Sequence, residues 1–308
     1  MRVVIVGLGI QGNKRITSIK NDLSFTVDPN VESATYSDIR DIPVNKYDAA
    51  VVCTPERVKK SLLYYLIDQK KHVLCEKPLL LEKNQLLQLQ ARCRRNKVYL
   101  QVAYNHRFEP SVQKMKKIID SKKLGNIYSL RMFYGNGTAK LVNKSNWRDQ
   151  GLGVIQDLGS HLLDLYRLWF PKGLQDFKLI NYDNFENNSP DYLLGCSSEI
   201  KPRVQIEATY LMWKNSFTCD LIAEKGSAHI GGLIKWGKSF FELRRRVFPA
   251  GPPSNKTFWF DGADPTWNLE YKNFKQSIKL RKLTDLSDDI YISNQLLRMQ
   301  NHISKEIR

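Results

Sequence analysis

Gly7-Leu8-Gly9-Ile10-Gln11-Gly12 has the spacing of a loop that brings backbone close to a pyrophosphate. One glycine makes the tight turn, the next admits the phosphates, and the third lets a helix pack closely on the preceding strand. Glycine turns are common, so the hexapeptide alone says little. Asp28, about 20 residues on, adds the carboxylate that can accept hydrogen bonds from an adenosine ribose. An acid there favours NAD and repels a 2′-phosphate, with NADP as the alternative. Asp28 before Pro29 also suits an ordinary turn. Farther along, Cys53-Thr54-Pro55 and Cys75-Glu76-Lys77-Pro78 each close an apolar run, and Asp157 and His161 stand four apart. That spacing puts both on one face of a helix, where they can converge on one small molecule. Taken singly, a Lys-Pro is more often a surface turn and a helical Asp/His pair more often solvated.

The elements that must hold these residues are legible to about residue 105. Val3 to Val6, Phe25 to Val27, Ala49 to Cys53, His72 to Cys75 and Val98 to Ala103 read as short buried strands. Helical stretches from Arg57 to Asp68 and from Leu81 to Arg94 separate the later ones. Strands joined by helical crossovers predict a parallel, doubly wound sheet, whose carboxyl edge lines a ligand crevice and turns Thr54 and Lys77 toward a cofactor. After Pro110 the pattern changes. A basic helix (Val112 to Ser121) precedes strand-like runs at Ile127 to Tyr134, Phe177 to Tyr182, Val204 to Met212, Ser216 to Ala223 and Phe240 to Arg244. Strands in succession predict an α+β domain on a large, mostly antiparallel open sheet. The expected boundaries are residues 1–106 for an α/β Rossmann domain and 107–308 for the second domain, with a C-terminal helix packing back on the first.

A chain of 308 residues, 42% hydrophobic and 26% charged, supplies two cores. No apolar run approaches the ~18 residues that span a bilayer. The opening Arg-Val-Val-Ile-Val is too short for a signal sequence, so a cytoplasmic protein with no membrane partner is expected. Five cysteines without metal-ligand spacing argue for reduced thiols and no metal. The net charge of +17 is unusual. Its residues are dispersed and no nucleic-acid motif accompanies them, so solvated faces are favoured over a nucleic-acid partner, with attraction of an anionic substrate second.

The segments GLGIQG, VVCTP, HVLCEKP, YNHRFEP and NWRDQGLGVIQDLGSHLLD together resemble the glucose–fructose oxidoreductase/inositol dehydrogenase (Gfo/Idh/MocA) family. EKP and the downstream DLGSH are the specific parts, and beyond about residue 170 the resemblance is only general. It implies a nicotinamide-dependent oxidoreductase acting on a sugar, cyclitol or nucleotide-sugar. It further implies that Lys77, Asp157 and His161 form the catalytic group. Oxidising an alcohol needs a base for the hydroxyl proton, a role that suits His161; Lys77 would stabilise charge on the same oxygen and Asp157 would tune both, with the roles of Lys77 and His161 exchanged as the alternative, since the sequence does not fix proton order. Gly7, Gly9, Ile10, Gln11, Gly12, Asp28, Cys53, Thr54, Pro55, Glu76 and Lys77 would hold the cofactor. Asn105, Arg107, Trp147 and Arg148 would join the catalytic three at the substrate. The sequence departs from the family at Lys59, where a histidine is common, and in the interrupted Gly151-Leu152-Gly153. The resemblance also implies a homodimer or homotetramer formed through the second-domain sheet. An NAD-bound regulatory protein and an NAD-dependent glycosidase with transient redox are the competing classes.

Overall fold

The computed structural model describes residues 1–145, 148–173, 175–197, 199 and 201–306. The chain divides into two compact units, Met1–Asn105 with Pro265–Asn294, and His106–Asp264 with Gln295–Arg308.

In the first unit the succession is β1 (Val3–Val6), α1 (Ile10–Ile19), β2 (Leu23–Val27), β3 (Ala49–Val52), α2 (Glu56–Asp68), β4 (His72–Glu76), α3 (Lys83–Asn96) and β5 (Leu100–Ala103). Five parallel strands lie in the order β2-β1-β3-β4-β5. Strands β1 and β3 are buried at every position, as an apolar run without alternation demands when both faces of a parallel sheet are covered. The chain passes from β1 to one side for β2 and to the other for β3. That reversal opens a crevice beyond the carboxyl ends of β1 and β3.

The second unit opens with α4 (Pro110–Asp120), β6 (Ile127–Gly135), α5 (Ala139–Asn143) and α6 (Ser160–Trp169). Then come β7 (Lys178–Asp183), β8 (Tyr192–Ser197), β9 (Arg203–Thr209), β10 (Ser216–Ala223), β11 (Gly226–Gly231), β12 (Ser239–Arg245) and β13 (Ser254–Phe260). The eight strands run β13-β12-β11-β10-β6-β9-β8-β7, antiparallel except for the parallel pair β6 and β9. On β9, Val204, Ile206 and Ala208 are buried while Gln205 and Glu207 are only partly covered, the alternation of a sheet with one packed face. Three of these strands, β8, β11 and β13, give little sequence signal. Glycines bound β11, and β13 is an edge strand that begins Ser254-Asn255-Lys256-Thr257 and is mostly exposed.

Two helices complete the chain, α7 (Thr266–Lys279) and α8 (Ser287–Glu306). Helix α7 belongs to the first unit, whereas the expected boundary places residues 107–308 in the second, with a C-terminal helix packing back on the first. Its Tyr271 and Phe274 join Val3, Ile5, Ala49, Val51, Leu74 and Ala103 in one core. Phe274→Ala is therefore expected to destabilise the protein by about 3–5 kcal/mol. Denaturant unfolding of the full chain measures this, and a change under 1 kcal/mol would mean that α7 is not part of that core.

Candidate functional site

The phosphate-side features of the first unit follow from backbone geometry. Gly7 sits at φ +94°, and a Cβ there would fall 2.7 Å from the Cys53 carbonyl oxygen. A Cβ on Gly12 would lie 1.8 Å from the Gly7 oxygen. Around Gly9, by contrast, nothing lies within 4 Å of an added Cβ, so backbone is open to an approaching ligand. Ile10 and Gln11 begin α1 just beyond and are exposed. Asp28 accepts hydrogen bonds from Leu8 N–H (2.7 Å) and Asn30 N–H (2.9 Å). It thus fixes the glycine loop while each oxygen keeps a lone pair for a ribose hydroxyl. Beyond β3, Cys53 is a thiol pushed well up by burial, Thr54 has a buried hydroxyl oxygen without a hydrogen-bond partner, and Pro55 is exposed. An open backbone, an acid with lone pairs to spare and an unsatisfied hydroxyl fit a dinucleotide.

At the end of β4, Glu76 and half-buried Lys77 part company. The Glu76 carboxylate is turned inward to Arg15 of α1, accepting from Nε at 2.8 Å and Nη2 at 2.6 Å, and Arg15 also pairs with Glu270 of α7. Burial works against the Arg15 charge, but the two carboxylates outweigh it and raise its pKa. Lys59 of α2, buried, reaches the same segment. Its Nζ donates to the carbonyls of Glu76 and Pro78, both at 2.9 Å, and to Glu56 at 2.8 Å. The lysine therefore clamps the backbone on either side of Lys77. Asn105 donates to Thr266 Oγ1 at 2.9 Å, also within this unit.

In the second unit, a π-helical turn, Ile155–Gly159, runs into α6 and carries Asp157 just ahead of His161. Such widened turns recur at functional positions. Asp157 accepts from Tyr210 Oη at 3.1 Å and from Arg148 at 3.4 Å. Burial, and then the Asp157 charge, push the Tyr210 phenol well up, so it stays protonated as a donor. His161, buried, lies with its Nδ1 2.7 Å from Nδ1 of His106. Lys235 Nζ is 3.3 Å from His106 Nε2 and 2.9 Å from Tyr134 Oη, with Trp236 beneath it at 4.6 Å. Arg107 is engaged by Asp164: its Nε donates to both oxygens of that fully buried carboxylate at 2.8 and 3.0 Å. Trp147 lies outside the described residues.

The structure thus gathers Gly7, Gly9, Gly12, Asp28 and Thr54 in one unit and Asp157, His161 and Arg148 in the other. It ties Glu76, Asn105 and Arg107 into internal pairs. Sequence reasoning passed over Arg15, His106, Tyr134, Tyr210 and Lys235. His106 lies inside the quoted YNHRFEP segment, but Lys235 is 129 residues away from it and carries no local signal.

With this geometry in place, similarity to known proteins becomes informative. The family model described as "Oxidoreductase family, NAD-binding Rossmann fold" matches residues 1–104, and that described as "GFO/IDH/MocA C-terminal domain" matches residues 112–179. The two cover more than half of a chain built as a Rossmann unit and an open-sheet unit. The protein belongs to the Gfo/Idh/MocA oxidoreductase family, and its first unit is an NAD-binding Rossmann domain. Among curated relatives, glucose-6-phosphate 3-dehydrogenase of Bacillus subtilis is 27% identical over 41% of this chain and 37% of its own length. The chain thus spans little more than a third of that relative. Inositol 2-dehydrogenase of Mycolicibacterium gilvum is 24% identical over 87% of this chain and 84% of its own. A solved structure, levoglucosan dehydrogenase in complex with NADH, shares the fold at a TM-score of 0.82 and 17% identity, covering 98% of this chain and 97% of the other.

The Lys59 clamp generates a prediction. Burial opposes its charge, but Cys75, Glu56 and Glu76 overcome that and raise its pKa. Lys59→Met should cost about 3 kcal/mol, since it leaves buried carbonyls and Glu56 unmatched. A raised lysine pKa adds stability that is fully present below the unfolded value, about 10.4, and is lost as pH climbs through the folded one. The gap between wild type and variant in urea melts should stay constant across neutral pH and narrow only in strong alkali. A gap that closed near neutrality would contradict the clamp.

Proposed function

We propose that the protein is an NAD-dependent dehydrogenase of a sugar, cyclitol or nucleotide-sugar hydroxyl, or the reductase of the matching ketone. The observation that carries the reading is the His161 imidazole, buried and held through Nδ1, in a chain whose first unit is an NAD-binding Rossmann domain. Relatives named as dehydrogenases of glucose 6-phosphate and inositol support a polyol substrate.

When bound, the nicotinamide supplies the hydride acceptor. The chain's own residues manage the proton and the charge. His161 takes the hydroxyl proton at Nε2, since Nδ1 is committed to His106. Lys77 hydrogen-bonds the substrate oxygen and stabilises its developing negative charge. Asp157, steadied by Tyr210 and Arg148, favours the cationic form of its neighbours. Asp28 selects NAD over NADP by repelling a 2′-phosphate.

The finer parts of the proposal are an anionic, nucleotide-linked sugar as substrate, suggested by the net charge of +17, and a homodimer or homotetramer through the eight-stranded sheet. A cytoplasmic setting is a further part of the proposal; among the described residues no helix is long and apolar enough to cross a membrane.

Mixing the protein with NAD and pooled sugars, cyclitols and nucleotide-sugars should generate reduced-nicotinamide absorbance. His161→Ala should lower kcat about 10²- to 10⁴-fold while the Kd for NAD changes less than twofold. A parallel loss of NAD binding would make His161 structural and overturn its assignment. Separately, Asp28→Ala should weaken NAD binding about tenfold in calorimetric titration and erase the preference over NADP. An unchanged preference would remove Asp28 from cofactor selection.

A further inference from the structure

The contact between two imidazoles through like nitrogens imposes a rule. At 2.7 Å, His106 Nδ1 and His161 Nδ1 share one hydrogen, so one ring donates and the other accepts. Neutral imidazole carries its proton on one nitrogen only, so choosing the donor at this contact also chooses what each ring presents at Nε2. The far side of His106 faces Lys235 Nζ at 3.3 Å. An ammonium can only donate there, which makes His106 Nε2 the acceptor and places its proton on Nδ1. His161 then accepts at Nδ1 and carries its hydrogen on Nε2, as an acid. A neutral amine reverses every step: His106 donates from Nε2 to Lys235, accepts at Nδ1, and leaves His161 with Nε2 as a base.

We propose that His106 and Lys235 are positioning residues that set the tautomer of His161 and pass its proton along the line His161, His106, Lys235. This rests on the dehydrogenase reading. In oxidation the substrate O–H breaks as His161 Nε2–H forms. His161 Nδ1–H breaks as His106 Nδ1–H forms, and His106 Nε2–H breaks as Lys235 becomes an ammonium. The substrate carbon loses its hydride, with the electron pair, to the oxidised nicotinamide cofactor. One proton enters the line and one ends on Lys235, and reduction runs the same steps backward.

The surroundings of Lys235 suit the role. As a residue it is exposed, yet its Nζ is folded onto Tyr134 Oη and lies 5.4 Å from the Tyr134 ring centre and 4.6 Å from that of Trp236. The charged groups that face it are Glu109, Asp264 and Asp157. Loss of solvation pushes its pKa down to about 8 against the pull of those three carboxylates. Burial in turn pushes Glu109 up to about 7. The ammonium–amine exchange therefore falls in mildly alkaline solution, where a dehydrogenase base must be unprotonated.

Nitrogen NMR of the full chain labelled at histidine tests this without a substrate. In wild type, His106 and His161 should exchange tautomers together near pH 8, with His161 moving from Nε2–H to Nδ1–H as pH rises. Lys235→Met should abolish the joint exchange. Lys235→Arg, which keeps a permanent cation, should hold His161 as Nε2–H throughout and lower kcat for oxidation about 10- to 100-fold, with KM changed less than twofold. Glu109→Gln should move the exchange to lower pH by removing a carboxylate that favours the ammonium. A joint exchange that survives Lys235→Met, or two rings that titrate independently, would overturn the proposal. Intact exchange without NADH formation on any polyol would instead overturn the dehydrogenase reading and leave the tautomer coupling standing.

Discussion

The first unit depends on one buried cation. Arg15 projects from the helix that begins at the glycine loop, and it meets Glu76 at the end of β4 and Glu270 on α7. Its side chain is almost wholly enclosed, with the Trp267 ring 4.3 Å from the guanidinium carbon. Such an arrangement is a poor source of net stability, because desolvating three charged groups offsets most of their attraction. It is a strong constraint on registry, since removing one partner strands a charge at a cost of about 3–5 kcal/mol. The loop that admits a dinucleotide, the strand end that carries Lys77 and a helix more than 250 residues along the chain from Arg15 are thereby locked to one another. Lys59 adds a second tie to the Lys77 segment, from α2, so the backbone on both sides of that residue is fixed by buried charge.

Much of this was readable in the sequence, for physical reasons that differ from place to place. The parallel sheet announced itself because Val3-Val4-Ile5-Val6 and Ala49-Ala50-Val51-Val52 are buried on both faces and must be apolar throughout. The glycine loop was legible because steric demands leave no substitute at Gly7 or Gly12. Strands β8, β11 and β13 were missed: a half-covered strand at or near a sheet edge can hold glycine, lysine and asparagine without cost. The expectation that a C-terminal helix packs back on the first unit names no residues, because nothing local in Thr266–Lys279 says which core takes its apolar side.

The site divides along the same line. Residues in compact motifs, such as Asp157 and His161, can be singled out from the sequence alone. Residues whose role comes from a long-range partner cannot. Glu76 was expected at the cofactor because it precedes Lys77, but a strand alternates its side chains, and where Lys77 is half-buried at the edge Glu76 turns inward to Arg15. Arg107 likewise reads as a substrate ligand until fully buried Asp164 is seen to need a cation. Lys235 is the opposite case. It stands in a short helical turn, Ile234–Trp236, and gains its chemistry only because Tyr134 and His106 come to it.

The central claim is that a polyol carbon gives its hydride directly to NAD while this chain removes the hydroxyl proton. The most direct test is isotopic. The protein is incubated in ordinary water with NAD and with sugars and cyclitols carrying deuterium on carbon, and the reduced nicotinamide formed is weighed by mass spectrometry. Direct transfer predicts NADH heavier by one deuterium. Light NADH, or bound NAD that is never reduced by any of these compounds, would contradict the account.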